Sequence, residues 1–219
     1  MSREHAMATG ETSVLPPVRR SGPPDALRVL RERTSSPHAG LDAGLTGDDR
    51  RVADEPSYLR LLHVLATLHA GVEAPLHEWV GVTPWVRDAL GDVPLPARAG
   101  LFADDLVSLG ATAPDPHLAE EYDDAHGLAT LYLLAGSSKG ARVLLRGLPD
   151  DVAPGARRGL TDAASRDSAR LWGAVVSLLG APLARAHPST HLDLAAAAAD
   201  RAAGVFGALH ALVDGRRAS

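Results

Sequence analysis

Leu131-Tyr132-Leu133-Leu134-Ala135-Gly136-Ser137-Ser138-Lys139-Gly140-Ala141-Arg142-Val143-Leu144-Leu145 is the stretch on which the reading of this chain turns. Leu and Ala are strong helix formers, so the run predicts a helix. Gly136 and Gly140 interrupt it, each at a cost of about 1 kcal/mol relative to alanine. Four residues apart, the two glycines share one face. A face without side chains lets the backbone approach something flat or bulky. Close packing against a neighbouring helix is the simpler reading on spacing alone.

Outward from this stretch, the composition extends the helical expectation to the whole chain. Aromatic residues make up 4% and isoleucine is absent, so Leu, Val and Ala must fill the core. Strands would ask for β-branched and aromatic residues. The 219 residues suffice for one domain with a sizeable core. There is no cysteine, which removes disulfide scaffolds, thiolate metal sites and thiol catalysis. The net charge of −5 and the lack of a basic stripe interleaved with aromatics leave nucleic-acid binding without support. No apolar run reaches membrane-spanning length and no signal pattern opens the chain, so a cytoplasmic monomer without a membrane partner is expected.

Residues 1–24, rich in Pro and Gly, read as a disordered tail. The first helix is expected near Asp25, with Leu27, Leu30, Thr34 and Leu41 on one side and His38 sharing that side. Pro37 would kink this helix or start a new turn. Further helices are expected from Ser57 to Leu76, Ala97 to Leu109, His117 to Leu148, Thr161 to Leu179 and Thr190 to Val213, with loops at Gly44 to Glu55 and Ala111 to Pro116. The expectation is an all-α, single-domain bundle of six or so helices over residues 25–214, with a short tail at 215–219.

His38 is the second chemical feature. Without cysteine, imidazole is the natural strong metal donor. One histidine with no second ligand nearby suits heme better than zinc, because heme brings four nitrogens of its own. A lone histidine on a helix face is, equally, an ordinary structural residue in a chain with ten of them.

Two segments together resemble bacterial heme oxygenases that produce biliverdin. Leu30-Arg31-Glu32-Arg33-Thr34-Ser35-Ser36-Pro37-His38-Ala39-Gly40-Leu41-Asp42 is similar to the opening of that family: Leu-Arg, then Thr, three residues, His, two residues, Leu. Leu131 to Leu144 looks like its distal helix, usually Leu-Tyr-Val-Leu-Glu-Gly-Ser, two residues, Gly-Gly. Tyr58, the Leu101 to Gly110 segment and Phe206 add weaker matches in the same order. The resemblance spans about residues 26–213. It implies a heme oxygenase-type helical fold that sandwiches heme between two helices. His38 would be the proximal iron ligand and Arg31 a partner for a heme propionate. Leu133, Gly136, Gly140 and Ala141 would line the ring. Gly136, Ser137 and Gly140 would form the catalytic distal wall, with Ser137 or backbone-held water in place of the acid found in mammalian-type relatives. Heme would be both cofactor and substrate. Electrons would come from an external ferredoxin- or flavodoxin-type reductase, since no nucleotide fingerprint is present. A phytochrome is a candidate acceptor of the biliverdin.

The chain departs from the family pattern in places. Ala141 stands for the second glycine of the closing pair, Lys139 for an apolar residue and Ala135 for a common acid. Gly173 follows Trp172 where relatives often carry Arg, although Arg166 and Arg170 are close in sequence. Two other readings compete. One is a heme-binding or sensing protein on the same fold without turnover. The other is a non-heme dimetal oxygenase built on Glu120, Glu121, Asp123 and His126. A dimetal site needs repeated carboxylate–histidine pairs on several helices, and the later helices supply none at suitable spacing. No Gly-x-Ser-x-Gly elbow follows a strand, which argues against a Ser-His-Asp hydrolase.

Overall fold

The computed structural model describes residues 25–46, 52, 54–114 and 122–217. The tail expected over residues 1–24 lies outside these, as do Glu120 and Glu121 and half of the expected 44–55 loop, whose first three residues instead belong to a helix. The described residues form nine helices and no strand: α1 (Asp25–Thr46), α2 (Glu55–Val82), α3 (Pro84–Leu90), α4 (Ala99–Ser108), α5 (Asp124–Gly147), α6 (Arg158–Ala163), α7 (Arg166–Leu178), α8 (Ala181–Ala186) and α9 (His191–Arg217). The protein is all-α. Among the described residues no helix is long and apolar enough to cross a membrane.

The helix boundaries have local causes. Asp54 caps α2, accepting from the Ser57 backbone at 2.8 Å while Ser57 Oγ accepts from the Asp54 backbone. Helix α4 ends in a Schellman turn. Gly110 takes φ +73°, Gly110 N–H donates to Val107 and Ala111 N–H to Leu106. Asp123 caps α5, its carboxylate accepting from the His126 N–H at 2.8 Å. Tyr122 and Asp123 are therefore not helical; α5 starts at Asp124, and the expected start at His117 lies outside the described residues.

Three further expectations change. Residues 161–179 are not one helix: Ser165 stops α6 and caps α7 through the Ser168 N–H. Ala181 to Ala186 form the short α8, between the helices expected to end at Leu179 and to start at Thr190. The last helix continues to Arg217, past the expected end at Val213, and takes in residues assigned to a tail. Helices α1 and α2 run on through Pro37 and Pro75.

Two short helices begin without side-chain caps of their own, and buried carboxylates supply the acceptors from a distance. Glu73 of α2 accepts from the N–H groups of Arg98 and Ala99, at 2.8 to 2.9 Å, at the head of α4. Asp105 of α4 accepts from Arg158 and Gly159 at the head of α6. Each satisfies orphan donors that burial would otherwise leave unpaired. Glu73 also binds His69 Nδ1 at 2.6 Å. Burial alone would raise the Glu73 carboxyl, but its bonds from His69 and the α4 backbone hold it below its ordinary value.

Helix α9 packs against α1, α5, α2 and α8. It presents Ala195, Ala198, Ala199 and Ala202, all fully buried, at helical spacing. Contacts along α1 and α9 advance together. Arg33 pairs with Asp200, the His38 ring meets Phe206, and Gly44 faces His210. The two helices therefore run parallel.

Candidate functional site

His38 does not lie in the core with Thr34 and Leu41, which are 2% and 6% exposed. Its side chain is 55% exposed. At 100° per residue it sits about 40° from Thr34, at the edge of the apolar stripe. There its Nδ1 lies 3.0 Å from a carboxylate oxygen of Asp42, one turn on, and its ring meets Phe206 of α9 edge to face at 5.0 Å. The bond to Asp42 outweighs desolvation and raises the imidazole above its ordinary value. With Nδ1 on the carboxylate, Nε2 is the ring nitrogen that remains for another partner. Phe206, a weak match in the sequence, thus forms part of the His38 surroundings.

The glycine stretch does not break α5, which runs unbroken from Asp124 to Gly147. Nor does packing require the glycines. A Cβ on Gly140 would meet nothing within 4 Å, and one on Gly136 would meet only Trp172 Cζ3 at an ordinary 3.7 Å. This removes the helix-packing explanation for both. Gly173, Gly204 and Gly207 are equally unconstrained, so the α5 glycines take their meaning from what lies beside them. Ser137 Oγ donates to Leu134 O at 2.7 Å, and its oxygen keeps acceptor capacity. Leu133 and Ala141 are buried among the core residues.

Helices α1 and α5 meet through Thr34 Oγ1 and Tyr132 Oη, 3.1 Å apart. His38 is one turn beyond Thr34, and Gly136 one turn beyond Tyr132. Trp172 of α7 lies beside Gly136, with Tyr132 at 6.1 Å between ring centroids. Two cations address the indole. Lys139 Nζ is 4.6 Å and Arg31 Cζ 5.8 Å from its centroid. The structure therefore brings Arg31, Tyr132, Gly136 and Lys139 together around Trp172. His38 is engaged by Asp42 and Phe206 instead. Arg170, close to Trp172 in sequence, is turned to Asp92 and Asp167.

Sequence reasoning missed Asp42 and Trp172 as members of this site. The four-residue spacing from His38 to Asp42 was a usable signal, because i, i+4 partners meet on a helix. Nothing local pointed Trp172 at α5. Of the acidic group suggested as a dimetal site, Asp123 is occupied as the α5 cap and bonds His126 Nδ1 at 2.9 Å. Among the described residues no group of three or more His, Cys, Asp or Glu is arranged to hold a metal ion. A cleft of about 400 Å³ lies elsewhere, between α3 and α8, walled by Trp85, Asp88 and Arg185.

Compared with known proteins, the chain matches no family model, no curated protein and no solved structure.

Proposed function

We propose that this protein is a heme oxygenase, which opens heme to biliverdin, carbon monoxide and ferrous iron using oxygen and electrons from a separate ferredoxin- or flavodoxin-type reductase. The observation that carries this reading is the His38–Asp42 pair. A carboxylate on Nδ1 fixes the tautomer and the ring orientation, and it raises the basicity of Nε2. Metal-ligating histidines commonly carry such a partner on their other ring nitrogen.

The other residues suit a flat ring with two carboxylates. Arg31 and Lys139 offer two cations around the Trp172 ring. Gly136 and Gly140 offer bare backbone. When bound, heme supplies the iron that activates oxygen, and the ring itself is what is cut. The chain supplies position and proton control. His38 would hold the iron side and Arg31 a propionate. Ser137, its hydrogen already given to Leu134 O, can accept from a water and orient it over the glycine face.

That same bond favours a second reading, a heme-binding or sensing protein without turnover. The hydroxyl proton of Ser137 is committed to the helix, and Ala135 stands where family members often carry an acid. Mixing the protein with hemin, then adding ascorbate or a ferredoxin system in air, separates the two. A heme band that gives way to biliverdin supports the oxygenase. A band that persists supports the sensor. No band from hemin overturns both.

A further inference from the structure

We propose that Trp172 is a built-in occupant of the α5 glycine face, displaced when a planar ligand with two carboxylates takes Arg31 and Lys139 away from the indole. The inference rests on the heme reading of this face.

Trp172 stands apart from the core logic of its own helix. Leu171, Val175 and Leu178 form the buried stripe of α7, at most 1% exposed, whereas Trp172 is one residue off that stripe and only half-buried. Its ring is directed at α5, where Cζ3 lies 3.7 Å from the position a Gly136 Cβ would take. Lys139 and Arg31 reach the same ring from α5 and α1. Lys139 is the one lysine of the chain. A flat, electron-rich ring flanked by two cations over bare backbone has the same demands as a flat dianion: area, and two positive partners.

The exchange favours the dianion. A cation over an indole is held by the ring quadrupole alone. A carboxylate gives the same cation charge-assisted hydrogen bonds. A larger planar ring can also cover both Gly136 and Gly140, while the indole covers only the first. A planar ligand without carboxylates gains the area but leaves both cations on the indole. Trp172 thus sets specificity for planar dianions.

The test is hemin binding by wild type, Trp172→Ala and Trp172→Phe, followed at equilibrium by the heme absorption band and in time by stopped flow. A face covered nine-tenths of the time lowers apparent affinity about tenfold. Trp172→Ala is therefore expected to bind hemin about tenfold more tightly, with Trp172→Phe between it and wild type. Wild-type association should level off as hemin rises, because ring release comes first, and the levelling should vanish in Trp172→Ala. Unchanged or weaker affinity in both variants would make Trp172 a stacking wall and overturn the inference, with the heme reading intact. If Trp172→Ala fails to fold, Trp172→Phe decides alone: tighter than wild type supports displacement, equal or weaker overturns it. If no form binds hemin, the heme reading falls and this inference with it.

Discussion

Single glycines separate structural need from functional opportunity. A Cβ on Gly127 would lie 2.3 Å from the indole of Trp79, which is buried and donates to Asp124 at 2.9 Å, so the ring cannot yield. Gly127→Ala is expected to cost about 1–3 kcal/mol by overpacking. Gly140→Ala meets no neighbour and should stabilise the fold by about 0.5–1 kcal/mol through helix propensity. Urea midpoints of the two variants should move in opposite directions. Loss of hemin affinity in a stabilised Gly140→Ala protein would show that the residue serves a ligand. At His38 the sign follows from protonation. Ligation needs neutral Nε2, and Asp42 holds the imidazole protonated to higher pH than usual. Hemin affinity should therefore fall as pH drops below a midpoint lying above about 6.5. In Asp42→Asn this midpoint should move down; an unmoved one would detach Asp42 from the site. The sequence carried His38 and both glycines by pattern. The Asp42 bond required noticing an i, i+4 spacing, and Trp172 required the tertiary structure.

Elements were legible where signals are local and hidden where they are not. Apolar periodicity found α1, α2, α4 and α9, and Gly110 marked the end of α4. It missed the break at Ser165 because no glycine or proline marks the junction between Leu160 and Leu171. It could not find the caps of α4 and α6, whose acceptors lie 25 and about 53 residues away in sequence. These caps have a testable weight. Glu73→Ala strands the Arg98 and Ala99 amides and the buried His69 together, and should cost about 1–3 kcal/mol for each group left unpaired. Hydrogen exchange at the two amides should rise with it. The pair also makes stability depend on pH. Burial pushes the His69 imidazole down more than Glu73 raises it. The unfolded chain therefore takes up a proton near pH 6.5 that the folded chain refuses, and stability falls as pH drops below that value. The Glu73 contribution, present above about pH 4.3, is lost at still lower pH as its depressed carboxyl protonates. Thermal unfolding from pH 7 to 5 should show the first slope in wild type and a flatter one in His69→Asn.

At the scale of the whole molecule, α9 is the spine that relates the two walls of the proposed site. Helices α1 and α5 each pack along it, and the bond from Thr34 to Tyr132 joins them directly at one level. What α9 places against both helices therefore bears on the separation of His38 from the glycine face. Ala195, Ala198, Ala199 and Ala202 are fully buried, and their small side chains let neighbouring helices approach closely. The composition hinted at this, since an Ala-rich helix reads as helix from sequence, but Ala195 to Ala199 form one unbroken run with no visible face. Only neighbouring helices distinguish Ala199, fully buried, from Ala197, which is exposed. Leucine at each tests the point. Ala199→Leu should cost about 1–3 kcal/mol, because the helices must move apart to admit it. Ala197→Leu should stay within about 0.5 kcal/mol of wild type. If α9 sets the width between the walls, folded Ala199→Leu protein should also bind hemin more weakly, though residue 199 need touch no ligand. Ala199→Leu with wild-type affinity would mean that α1 and α5 hold their spacing without the spine, through the Thr34–Tyr132 bond.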